Sequence, residues 1–155
     1  MKTMFAIAAI ACVVVTGPAR AQSPPSPAQR QIQPLLDEML QAANAHDTDR
    51  FLTPYLHDST LAFVFNGMVM NGFTAVRDAQ LKAWNNGKSD VVYSVRGPTS
   101  YQVLTPSIAL ATLPLTSRRT LPTGEAKTTE MTVTMVWQKR AAGWRIVQVH
   151  ESTVR

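Results

Sequence analysis

The stretch EMTVTMVWQKRAAGWRIVQVHEST, residues 130–153, limits the possible folds more than any other part of the chain. It holds two alternating apolar and polar runs joined by the short connection Arg140-Ala141-Ala142-Gly143. Successive side chains of an extended strand point to opposite faces. Met131, Val133, Met135 and Trp137 therefore share one face, and Glu130, Thr132 and Thr134 share the other. A connection this short joins antiparallel strands, since a parallel pair needs a long crossover. In the closing run, alternation puts Trp144, Ile146, Gln148, His150 and Ser152 on one side. Arg145, Val147, Val149 and Glu151 take the other, which excludes a His150–Glu151 dyad. A face that begins as core at Trp144 thus ends in an amide, an imidazole and a hydroxyl.

Further strands precede this pair. SDVVYSVRGPTSYQVL and SIALATLPLTSRRTL meet at the turn Thr105-Pro106-Ser107, so residues after 88 read as a four-strand meander. STLAFVF and MVM flank Asn66-Gly67, a strong hairpin signal. Helices come earlier. Ile32, Leu35, Leu36, Met39, Leu40 and Ala43 recur at helical intervals across 28–45, with a start or kink at Pro34. A short helix with an acidic first turn follows over 47–56, and NGFTAVRDAQLKAWNNG is a third. Leading helices and trailing strands predict an α+β domain with helices on one face of one sheet.

The first residues are read as a leader. Lys2, the apolar run Met4–Val15 and Ala19-Arg20-Ala21 form the pattern of a secretory signal peptide cut after Ala21. The apolar run is shorter than the ~20 residues of a spanning helix. The expected product is periplasmic or secreted and leaves the membrane once the leader is gone. Residues 22–29 form a Pro/Ser spacer, and 30–155 form the domain. The single cysteine, Cys12, lies within the leader, so stability must come from a hydrophobic core rather than disulfides. Removing Lys2 and Arg20 lowers the formal charge from +5 to +3. The remaining cations are scattered, which argues against nucleic acid as a partner.

The segments AANAHDTDRFLTPYLHDSTL, NGFTAVRDAQLKAW and GWRIVQVHES together resemble the SnoaL-like branch of the nuclear transport factor 2-like superfamily. The resemblance covers about residues 30–154. It implies a cone-shaped, curved antiparallel sheet, made of a hairpin and a four-strand meander, packed against three N-terminal helices. It also implies a pocket inside the cone, with Trp144, Ile146, Gln148, His150 and Ser152 on the concave side, and a homodimer formed through the sheet. The outward set would be Thr128, Glu130, Thr132, Thr134, Val136, Val147 and Val149.

The residues expected around a ligand are Tyr55, Phe63, Phe65, Trp84, Tyr93, Met135, Trp137, Gln148 and His150. His150 is the candidate acid or base, because imidazole titrates near neutral pH. Aligned with ketosteroid isomerases, whose Asp base faces an oxyanion hole of Tyr and protonated Asp (a worked case in mechanistic enzymology), the chain has Phe63, Met39 and Met135 at the three positions. That mechanism is not supported. His46, His57 and His150 lie in separate elements, so no metal site is expected, and no cofactor fingerprint occurs. The readings that remain are binding of a small, mostly apolar molecule, proton-transfer chemistry in the same pocket (cyclase, dehydratase, isomerase or hydrolase type), and an association module with a vestigial pocket. The missing isomerase acids favour binding.

Overall fold

A computed structural model describes residues 24–154. The expected leader and its cut lie outside them. Helix α1 (Pro27–Asn44) starts inside the expected spacer, where Ser26 caps it by accepting from Gln29 N at 3.1 Å and Pro27 occupies the first turn. Pro34 neither starts nor ends the helix. Ile32, Leu36, Met39 and Ala43 form its buried stripe. Helix α2 (Thr48–Phe51) is a single turn capped by Asp47. After α2 come β1 (Ala62–Phe65), β2 (Met68–Asn71) and α3 (Phe73–Ala83). The chain then forms β3 (Val92–Val95), β4 (Ser100–Thr105), β5 (Ile108–Thr120), β6 (Ala126–Arg140) and β7 (Gly143–Thr153).

The strands form one curved, unclosed sheet in the order β2-β1-β7-β6-β5-β3, with β4 also on the outer edge of β5. Three features differ from the sequence reading. First, β1 runs parallel to β7, so the sheet is mixed rather than wholly antiparallel. Second, SDVVYSVRGPTSYQVL is two strands rather than one, broken around Gly97-Pro98. β3 pairs with Leu115–Arg118 and β4 with Ile108–Thr112. Pro114 sits opposite the break, where a missing N–H disrupts no ladder, and its carbonyl accepts from Arg96 N at 2.9 Å.

The third difference decides the site. Val136 pairs with Gln148, but the next residue, Trp137, pairs with Ile146. Val147 is the extra residue of a β-bulge, and beyond it the alternation of β7 changes phase. Trp144 and Ile146 point inward as expected, at 3% and 0% exposure. Past the bulge the inward residue is Val149, at 1% exposure, while Gln148, His150 and Ser152 are exposed on the outer face. Val149 is thus removed from the expected outward set, and Gln148 and His150 from the expected inward one. The inward face changes residues at the bulge, passing from Trp144 and Ile146 to Val149 and then Glu151.

One main core lies between the helices and the sheet, centred on Ile32, Leu36, Met135, Trp137, Ile146 and Val149. A smaller cluster of Ala43, Trp84 and Val91 joins α1, α3 and β3.

Candidate functional site

The concave side of the sheet holds two adjoining spaces. The inner one, about 90 Å³, lies under α1 and is walled by Met39, Tyr55, Trp84, Leu115, Met135 and Val149, among others. The outer one, about 680 Å³, opens between the β1–β2 hairpin, α3 and the ends of β5 and β6. Phe63, Gln80, Tyr93, Met131 and Glu151 line both, so the small chamber continues into the wide mouth. The mouth falls within the usual size of small-molecule sites.

Of the residues expected around a ligand, Tyr55, Trp84 and Met135 line the inner chamber, Phe65 the outer, and Phe63 and Tyr93 both. Trp137 is fully buried in the core and lines neither. Gln148 and His150 lie on the opposite side of the sheet, away from both spaces. The reason is the bulge at Val147, which reverses the parity on which their placement depended.

The same reversal brings Glu151 inward. It is half-buried, lies in register with Phe65 on β1 and Val133 on β6, and is the only acidic residue among the described ones that lines either chamber. Its carboxyl belongs to none of the ion pairs or side-chain hydrogen bonds among the described residues. Burial alone pushes its pKa up to about 7, because an unpaired carboxylate loses hydration there and gains no counter-charge. A phase signal was present in the sequence: the apolar positions of β7 move from Trp144 and Ile146 to Val147 and Val149. Such a step within a period-2 pattern marks a bulge. Phe63 stands where the isomerase resemblance puts a catalytic base, and the carboxyl sits one strand away.

Two tyrosines add polar groups. Trp84 Nε1 donates to Tyr93 Oη at 3.0 Å, which leaves the phenolic hydrogen free to donate into the cavity. Burial raises the Tyr93 and Tyr55 pKa values, so both stay protonated across the ordinary pH range. The remaining histidines are held structurally. His46 Nε2 lies 2.7 Å from Val91 O and packs on Trp84, and His57 stacks on Phe73 with ring centroids 3.8 Å apart. Asp58 accepts from Thr60 N at 2.7 Å and so serves a turn. Glu130 faces outward and pairs with Arg96 at 3.3 Å. Among the described residues no cluster of three His, Cys, Asp or Glu could hold a metal ion.

Residues 32–155 match the description of the SnoaL-like domain. The chain belongs to the SnoaL-like domain family. None of the curated proteins matches it. The SnoaL-like domain is similar in fold to an NTF-2-like protein of unknown function from Shewanella oneidensis, with a TM-score of 0.65 and 22% identity over 79% of this chain and 97% of that one. An uncharacterised protein with a cystatin-like fold from Caulobacter vibrioides gives a TM-score of 0.71 at 21% identity, covering 84% of this chain and 92% of that one. A ketosteroid isomerase-like protein from Erwinia carotovora gives 0.66 at 16% identity, covering 81% and 95%. Identities this low carry the fold and leave the chemistry to the site.

Proposed function

We propose that this SnoaL-like domain binds a small, mostly apolar molecule inside the cone. One observation carries the reading: an aromatic and methionine-rich cavity opens to solvent and contains a single unpaired carboxyl, Glu151, where its two chambers meet. Apolar walls supply affinity by removing ligand surface from water, and a few convergent polar groups fix orientation. Protonated Glu151, the Tyr93 hydroxyl and the Gln80 amide would orient a carbonyl or hydroxyl of the ligand. The test is a thermal-shift screen of the purified protein against metabolite pools, repeated on Glu151→Gln and His150→Ala. A hit should survive His150→Ala and weaken in Glu151→Gln. Loss in His150→Ala alone, or no hit from any pool, counts against the reading.

Glu151 also favours a second reading, proton-transfer chemistry in the same cavity. A carboxyl titrating near 7 is matched to general acid or base work at neutral pH, as an exposed one is not. In this reading Glu151 takes the role expected of His150. Turnover that follows a pKa near 7 and is abolished in Glu151→Gln supports it; turnover abolished in His150→Ala overturns it. We further propose, from Lys2 to Ala21, that the protein is exported, and, from the outer sheet face, that it forms a homodimer.

A further inference from the structure

The mouth of the cavity carries charge that its interior does not. Lys82, near the end of α3, and Arg119, near the end of β5, both line the outer chamber and are exposed. The ion pairs of the described residues are Arg50–Glu38, Arg77–Asp49 and Arg96–Glu130, so among those residues neither rim cation has a direct acidic partner. Asp90, the acid that senses Arg119, has its carboxylate engaged by Thr120 N at 2.8 Å. Among the described residues Glu151 is the only acid lining the two chambers. The apolar part of the outer chamber's wall includes Phe63, Phe65, Met70 and Met131, its methionines adaptable in shape, beside polar groups such as Gln80, Ser117 and Thr129. Cations at the opening and hydrocarbon below describe an amphipathic anion.

Building on the reading that the cavity binds a small apolar molecule, we propose that its ligand is an amphipathic carboxylic acid. The hydrocarbon body passes Phe63 and Met131 toward the inner chamber, and the carboxylate stays at the mouth between Lys82 and Arg119. A carboxylate buried beside Glu151 would meet a second acid without a counter-charge, so the head group faces outward. The rim cations favour the ionised acid over a neutral molecule of the same shape, and attract it from solution.

Matched pairs of probes test this by isothermal titration calorimetry: decanoate against decanol, and cinnamate against cinnamyl alcohol. The parent protein should bind at least one acid about tenfold more tightly than its alcohol, and added salt should erode the preference. Lys82→Met with Arg119→Met should bind the alcohol as before and lose the preference for the acid. Circular dichroism of the variant should match the parent, because both side chains are exposed. Equal binding of acid and alcohol overturns the charge assignment and leaves the apolar cavity standing. An acid preference that survives both substitutions overturns the assignment to Lys82 and Arg119. Failure of every probe overturns the cavity reading as well.

Discussion

A single carboxyl sets the chemistry that this cavity can offer. Glu151 keeps its proton up to about pH 7 in the folded protein, against the ordinary 4.5 of an exposed glutamate. Desolvation is the cause. The outer chamber that Glu151 lines is also lined by Gln80 and Lys82 of α3, Phe63 and Phe65 of β1, Met131 of β6, Ser117 and Arg119 of β5, and Tyr93 of β3, and neither cation forms an ion pair with it. Between those two pH values the folded state binds more protons than the unfolded state, so stability falls as pH rises and levels off above 7. The drop is on the order of 3 kcal/mol. Denaturant titrations of the parent and Glu151→Gln at several pH values measure it. The amide variant should match the parent near pH 4.5 and exceed it at pH 8; a parent curve without slope over that interval would show that the carboxyl is not desolvated.

Strand β7 shows why elements were more legible than their faces. The lengths of β5 to β7, the Asn66-Gly67 hairpin and the third helix follow from local chemistry. Asn66 and Gly67 adopt φ of 45° and 87°, the left-handed pair that a two-residue hairpin turn requires. The inward face of β6 was equally readable, because Met131, Val133, Met135 and Trp137 keep one phase throughout. On β7 one extra residue changed the phase, so Trp144 and Ile146 were placed correctly while Gln148, His150, Val149 and Glu151 were each assigned to the wrong side. Six of the nine residues expected around a ligand line the cavity, since their positions did not depend on that step; fully buried Trp137 was misread because an inward face does not separate core from cavity wall. The corrected faces predict mutational costs. Val149→Ala should lose roughly 2 kcal/mol by removing buried methyl groups, whereas Gln148→Ala and His150→Ala should stay within about 0.5 kcal/mol. Urea denaturation of the three variants checks this, and the reverse order would restore uninterrupted alternation.

At the scale of the molecule, the outer face of the sheet carries Thr112, Pro114, Thr132, Thr134, Val136 and Gln148, with the Thr112 and Thr134 hydroxyls 3.2 Å apart. If the proposed homodimer forms there, analytical ultracentrifugation should give twice the chain mass. Thr134→Arg should give the single mass while keeping the parent's circular dichroism, because it sets like charges against each other across a symmetric contact. A dimer unaffected by that change pairs elsewhere. Folding direction brings a different consequence. β7, the last strand in the chain, lies between β1 and β6, and Asn66 of the hairpin bonds Thr153 near its end, Thr153 N to Asn66 Oδ1 at 3.3 Å. The hairpin therefore has no neighbour in the sheet until β7 has been synthesised. A nascent chain lacking that strand leaves both the hairpin and β6 with an open edge, so the sheet cannot assemble across its middle before β7 has emerged.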